Sequence, residues 1–304
     1  MIVNQPEDFL DQLERGNYPA TASACARAVM VVEPAEFRVN TESAADNQYM
    51  NLVEPVDADR ALLQSNLLVQ TLKQQGIEVT SFPGDPDTPD AVFPNNVFAT
   101  TRNRLIIGHM LHPGRRKEAE RADIRHFFYT MGYRIVDLSQ QDCVAELTGP
   151  LIIDHARGIG FCGMTARVDQ AGLEAMQTAF SLKLIFSFAL HADEYHTNVI
   201  MMVLAGRACV IYPGAFPDPD VPLAIAKAFP GRTLLLNEAE KNAFAGNCIA
   251  LTDRDLFISQ TGLEALRPAS RDALESWGFS IHSTPLDEIE KAGGSLRCML
   301  AEIF

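Results

Sequence analysis

The sequence predicts a mixed α/β fold assembled from divergent repeats of one small unit. Three observations point to it. Strand-like and helix-like segments alternate along the 304 residues in the order strand, helix, strand, hairpin. Paired short apolar runs, which read as hairpins, recur at intervals of roughly 50–60 residues, a spacing associated with radial or propeller-like architectures. No low-complexity linker or shift in composition divides the chain.

The elements follow in order. Residues 28–33 (Ala-Val-Met-Val-Val-Glu) are short and β-branched, which predicts a buried strand. Residues 40–55 hold no period and read as a loop. Leu62, Leu63, Leu67, Leu68 and Leu72 recur at helical spacing within 57–75, and Gly76 is a stop signal. A strand at 79–82 leads into a long Pro/Asp segment, 83–94, of a length that loops reach mostly for function. Residues 97–101 and 105–107 read as a hairpin, 118–131 as a helix and 134–136 as a strand. A second hairpin (151–154 and 158–161) precedes a helix at 169–180. A third (199–204 and 208–212) precedes a helix at 222–229. A helix at 237–245, strands at 248–251 and 256–259, a helix at 261–276 and a strand at 280–282 complete the pattern. Residues 1–27 read as an N-terminal extension or leading helix.

Composition narrows the function classes. The chain is 47% hydrophobic and carries a net charge of −14, enough apolar residue for a sizeable core. An acidic surface repels phosphate backbones, which argues against nucleic-acid binding. The six cysteines (Cys25, Cys143, Cys162, Cys209, Cys248 and Cys298) form no CxxC pair and read as reduced thiols. The acidic start of the chain lacks a signal peptide's basic and apolar regions. The longest apolar stretch, 181–204, is interrupted by His191, Asp193, Glu194 and His196, so no membrane span is expected. A cytoplasmic location follows from these readings.

Four segments carry candidate chemistry. Asp90-Ala-Val-Phe-Pro-Asn95-Asn96 places two adjacent amides at a loop-to-strand junction, where they could bind a polar ligand or cap their own backbone. Glu146-Leu-Thr-Gly149 and Tyr195-His196-Thr-Asn198 each enter an apolar strand. Near the C-terminus, Gly293-Gly294-Ser-Leu-Arg297 delivers the chain to Cys298. Glycines suit a tight loop, and an adjacent arginine favours a thiolate. Alone, such a cysteine is more often structural. Together, a thiol nucleophile, an imidazole proton carrier and a carboxylate suit nucleophilic catalysis. The signatures of serine hydrolases, zincins, Walker-type and dinucleotide-binding proteins are missing. His109 and His112 lack a carboxylate partner in sequence, and His191, Asp193, Glu194 and His196 read as a solvated turn apart from His196. No metal or organic cofactor is expected.

These four motifs, in this order and spacing, resemble the guanidine-modifying superfamily of arginine deiminases, dimethylargininases and amidinotransferases. Within it the chain is most similar to bacterial amidinotransferase-like citrulline hydrolases. The resemblance spans roughly residues 28–304. It implies a five-bladed α/β propeller (the pentein fold), with pseudo-fivefold repeats around a central cleft, in a single catalytic domain over 1–304. Five such blades in 304 residues would average about 61 residues each. The resemblance further implies Cys298 as nucleophile, His196 as general acid/base and Glu146 as a group that holds substrate nitrogen or relays protons. Asp90 and Asn95 fall in the substrate-binding segment. Arg115 and Arg167 fall near arginines that grip a substrate carboxylate, a contact suited to an arginine fork. Its partner is a small molecule, and a homodimer is compatible with it.

The chain departs from guanidinium-binding relatives at Asn96 and Asn198, where they place carboxylates. A guanidinium is a cation with donors only, whereas a ureido group is neutral and carries an acceptor as well. Burying the cation without counter-carboxylates costs several kcal/mol. The amides therefore favour citrulline, with arginine or methylarginine as the alternative.

Overall fold

A computed structural model describes all residues, Met1–Phe304. Its strands form five separate small sheets with one plan. In each, a first strand pairs antiparallel with a second, and the second pairs parallel with a third reached through a helical crossover. The sheets are Phe98–Thr101, Arg104–Ile107 and Arg134–Asp137; Leu151–Asp154, Ile159–Met164 and Leu184–Ala189; Met201–Leu204, Ala208–Ile211 and Thr233–Leu235; and Ile249–Ala250, Asp255–Ser259 and Ser280–Thr284. The remaining sheet joins both ends of the chain. Ala301–Ile303 pairs antiparallel with Ala28–Val32, which pairs parallel with Glu78–Phe82.

The local sequence explains these elements. Every residue of Ala28–Val32 is buried, as a continuous apolar run requires of a two-faced strand. The helix Ala58–Gln74 starts where the Asp57 carboxylate accepts the Arg60 N–H and stops before Gly76 at φ +77. It turns Ala61, Leu68 and Leu72 inward. Asp169 caps Gln170–Phe180 in the same way.

Several expectations need correction. The helix read over 118–131 is shorter, Ala122–Thr130, preceded by turns at Pro113–Arg116 and Lys117–Glu120 and broken at Arg121. The helix read over 261–276 is two, Gln260–Ala265 and Pro268–Ser276, because Pro268 forces extended backbone on Arg267. Strands at Leu184–Ala189, Thr233–Leu235 and Ala301–Ile303 were not anticipated. Glu194 is not solvated: it is buried against Lys241 Nζ at 2.9 Å and the Tyr49 hydroxyl at 2.5 Å.

The N-terminal segment is integral. Ile2–Val3 extends the sheet ending in Leu184–Ala189, and the helix Pro6–Arg15 follows. From it, the fully buried Phe9 stacks on Phe186 at 4.6 Å and meets Phe161 edge-on at 5.8 Å. Phe9→Ala is expected to cost about 3–5 kcal/mol in urea-induced unfolding, while the turnover of the remaining folded protein stays unchanged.

Candidate active site

Asn95, Asn96, Glu146, His196, Asn198 and Cys298 share one structural position, the turn just before the first strand of a sheet, whereas Asp90 lies in the turn Pro89–Val92 and Arg115 and Arg167 follow the second strands Arg104–Ile107 and Ile159–Met164. Asn95 and Asn96 occupy the turn Pro94–Asn96, Glu146 and Thr148 precede Leu151–Asp154, and His196 and Asn198 flank and enter the one-turn helix Thr197–Ile200. Asn247 precedes Ile249–Ala250, and Cys298 lies in the turn Leu296–Met299. The turns are bonded in sequence. The Asn95 amide donates to Thr148 Oγ1 at 3.3 Å, and Asn198 Nδ2 donates to the Thr148 carbonyl at 3.2 Å. Asn247 Nδ2 donates to the Asn198 carbonyl at 2.8 Å, and the Cys298 N–H donates to Asn247 Oδ1 at 3.4 Å. The turns Leu296–Met299 and Pro94–Asn96 then pack against each other.

Behind the thiol lies a wholly buried ionic cluster. Glu146 Oε2 meets His196 Nε2 at 2.9 Å, and both side chains are inaccessible to solvent. Arg167 Nη1 donates to both Glu146 oxygens at 3.1 and 3.3 Å, and the Leu111 N–H donates to Oε1 at 3.1 Å. Burial opposes ionisation of Glu146, but Arg167 and His196 outweigh it and hold the carboxyl well below its usual range. The ionised carboxylate can only accept, so the proton shared with it belongs to His196 Nε2. Nδ1 then faces the Asn96 amide, 3.4 Å away. Burial pushes the imidazole pKa down to about 4, against the pull of Glu146, so the ring is neutral at pH 7. Gly149 makes room for it, since a Cβ there would lie 2.6–2.8 Å from the ring atoms.

Cys298 is buried, and burial pushes its thiol above the ordinary value; hydrogen bonds from Asn247 and the charge of Arg297 oppose this. Arg297 mainly fixes the chain, donating to the Leu300 carbonyl at 2.8 Å and to Glu302 at 2.9 Å. Gly293 adopts φ +77, and its carbonyl accepts from the Tyr195 hydroxyl at 2.6 Å.

A small pocket opens onto Cys298, Asp90, Asn96, Arg115 and Arg167. Glu146, His196, Asn95 and Asn198 stand behind its lining. Asp90 Oδ2 accepts from Ser43 Oγ at 2.6 Å and Asn40 Nδ2 at 2.9 Å, while Asp90 Oδ1 and Asn96 Oδ1 are buried without a partner. Both arginines already hold internal carboxylates. Arg115 grips Glu118 through Nε and Nη2 at 2.9 and 2.8 Å, and Arg167 grips Asp46 at 2.6 and 2.7 Å. Burial raises the Glu118 carboxyl to about 7, with Arg115 opposing. No group of three or more His, Cys, Asp or Glu side chains could hold a metal ion, and no helix is long and apolar enough to cross a membrane. His109 bonds the Gln141 carbonyl and His112 bonds Asp46.

Sequence reasoning missed Asn247, Asp46 and Ser43, and gave Tyr195 no role of its own within its motif. A signal for Asn247 was present: Thr148, Asn198, Asn247 and Cys298 follow one another at separations of 50, 49 and 51 residues.

Residues 33–304 match the family model for N,N dimethylarginine dimethylhydrolase, eukaryotic. The chain belongs to this family. It lies within the guanidine-modifying, pentein superfamily. It is 24% identical over 245 residues to the bifunctional arginine dihydrolase/ornithine cyclodeaminase AgrE of a Nostoc species, covering 81% of this chain but 33% of AgrE. The chain thus spans about a third of the length of that relative. It is 24% identical over 289 residues to the N(G),N(G)-dimethylarginine dimethylaminohydrolase of Mycobacterium tuberculosis, covering 94% of this chain and 88% of that one. The crystal structure of the N-terminal domain of ArgZ bound to product, a cyanobacterial arginine dihydrolase, superposes with a TM-score of 0.79 at 21% identity. The match covers 91% of this chain and 97% of that domain. The fold is therefore the α/β fold of this family.

Two outcomes follow from the buried cluster. Gly149→Val is expected to leave a folded protein in which His196 is displaced and turnover falls roughly a hundredfold, since small misplacements cost that much; steady-state rates with thermal unfolding as control check it. The His196 pKa is depressed from 6.5 to about 4 in the folded state, so the unfolded chain binds the extra proton between those values. Stability is then fully present above about pH 6.5 and declines as pH falls toward 4. Unfolding midpoints measured from pH 7 to 4 should fall more steeply in the native chain than in His196→Asn.

Proposed function

We propose that the chain is a cysteine-dependent hydrolase that cleaves the ureido group of citrulline to ornithine, ammonia and carbon dioxide. The observation carrying this reading is the set of groups around the thiol. Asn96 and Asn198 supply amides there, the charge of Glu146 is already compensated by Arg167 while neutral His196 donates to it, and Asp90 is the one carboxylate lining the pocket. Arg115 and Arg167 line it too. A buried cation in such surroundings would have Asp90 alone to compensate it, with Arg115 and Arg167 opposing. The unpartnered Asp90 Oδ1 and Asn96 Oδ1 suit N–H donors of a ureido group. Its carbonyl needs donors, which amides supply and carboxylates do not.

In this mechanism Cys298 passes its proton to His196 and attacks the ureido carbon. The imidazolium, stabilised by Glu146, protonates the departing nitrogen. Water then adds to the thioester-like carbon, giving its proton to His196, and the C–S bond breaks. The carbamate released decomposes to the amine and carbon dioxide. Arg115 is the better-placed grip for the substrate's carboxylate, because its Nη1 carries no hydrogen bond to protein, whereas Arg167 is fully engaged. The common plan of the five sheets and the unbroken succession of bonded turns support an arrangement of five blades around this cleft, in one catalytic domain. Six free cysteines support a reducing, cytoplasmic setting.

A guanidine hydrolase acting on arginine is the second reading. Asp90 Oδ1 is a free carboxylate oxygen on the pocket. The relatives AgrE and ArgZ are named arginine dihydrolases, and a cysteine-to-alanine mutant of AgrE has been crystallised with L-arginine.

Ornithine and ammonia release should be measured with citrulline, arginine and dimethylarginine. Citrulline is expected to give the highest kcat/KM, and faster turnover of arginine would reject the ureido assignment. Asn96→Asp with Asn198→Asp is expected to lower kcat/KM for citrulline at least about tenfold, a loss of about 1.4 kcal/mol in transition-state stabilisation. Cys298→Ala should lower kcat roughly a thousandfold or more.

A further inference from the structure

Asn247 belongs to no motif singled out in the sequence, yet it makes the shortest side-chain polar contact to the Cys298 sulfur. Its Nδ2 lies 3.3 Å from Cys298 Sγ. Three contacts fix which way the amide faces. Nδ2 also donates to the Asn198 carbonyl at 2.8 Å, and Oδ1 accepts the Cys298 N–H at 3.4 Å. A flipped amide would set its oxygen against a carbonyl and its NH2 against an N–H, so a donor always faces the sulfur. The side chain is fully buried and cannot exchange these partners for water. Asn198 faces the sulfur with both ends of its amide: Nδ2, which donates to the Thr148 carbonyl at 3.2 Å, lies 3.6 Å away, and Oδ1, an acceptor for the neutral thiol, lies 3.8 Å away.

A neutral thiol is a weak acceptor, whereas a thiolate is a strong one. The oriented N–H of Asn247 therefore stabilises the charged form more than the neutral form. The other charged and titratable groups facing Cys298 are Arg297 on its own turn, Tyr195 beside it, and Asp90, Arg115 and Arg167 across the pocket. The arginine side chains are committed to Glu302, Glu118 and Asp46. His196 lies behind the pocket lining, bonded to Glu146.

We propose that Asn247 is the positioning residue that sets the ionisation of Cys298, acting as an oriented hydrogen-bond donor to the thiolate. This rests on the reading of Cys298 as nucleophile, but not on the identity of the substrate.

The test is the pH dependence of iodoacetamide alkylation at Cys298, followed by peptide mass in the full chain without substrate, together with kcat and KM across pH. In Asn247→Ala the alkylation midpoint should rise by about one to two pH units, so that Cys298 reacts roughly 10- to 100-fold more slowly at pH 7. KM should change little, and kcat should fall at pH 7 and recover toward alkaline pH. Asn247→Asp keeps the acceptor for the Cys298 N–H and is isosteric, so it decides the matter should the alanine variant not fold. Its midpoint should rise further, because an acceptor then faces the sulfur. An unmoved midpoint in a folded variant, whatever happens to kcat, overturns the proposal and leaves Asn247 a purely structural tie between turns. A normal midpoint shift with full turnover after Cys298 is alkylated would instead reject Cys298 as the nucleophile.

Discussion

The structure depends on the burial of one carboxylate. Glu146 is wholly inaccessible and would be costly there without Arg167 and His196 at hydrogen-bonding distance. Compensating its charge has three consequences. It fixes the proton on His196 Nε2 and turns Nδ1 toward Asn96. It leaves Asp90 as the lining carboxylate of the pocket. It also anchors the segment 40–55, because Arg167 carries Asp46 on its other side and its Nη2 donates to the Ser43 carbonyl.

The fold brings these groups together by repeating one position. A turn ahead of the first strand of each sheet is buried among its counterparts, so its polar side chains must bond one another. Side chains on such turns are oriented by backbone carbonyls and N–H groups of the neighbouring turn, as at Asn95, Asn198 and Asn247. This preorganises the site without a metal ligand set or a long catalytic loop. The segment 40–55 closes over it through Ser43, Asn47 and Met50, and is tied down by Asp46, by Tyr49 on Glu194 and by a bridge from Met50 to Ala292.

Much of this was legible in the sequence for physical reasons. The strand Ala28–Val32 is a short apolar run bounded by Arg27 and Glu33, and the helix Ala58–Gln74 carries its cap and stop signals within a few residues. Leu184–Ala189 was missed because it sits in a continuous apolar stretch, where a buried strand has no alternation to reveal it. Thr233–Leu235 is too short to carry a period, and the break at Arg267 was overlooked although Pro268 announces it. At the site, chemistry and family motifs single out Cys298, His196 and Glu146 as candidates. Asn247 and Asp46 are not singled out, because an asparagine or aspartate in a loop ordinarily caps its own backbone. What distinguishes them is tertiary: Asn247 contacts a residue 51 positions away, and Asp46 one that is 121 away.

The central claim is that Cys298 attacks a neutral ureido carbon. The most direct measurement is acid quenching during turnover of citrulline labelled at the ureido carbon, followed by the mass and label of the Cys298 peptide. The account predicts a labelled carbonyl adduct on Cys298 that disappears when unlabelled citrulline is added in excess. An unmodified Cys298 peptide throughout steady-state ornithine release would contradict it.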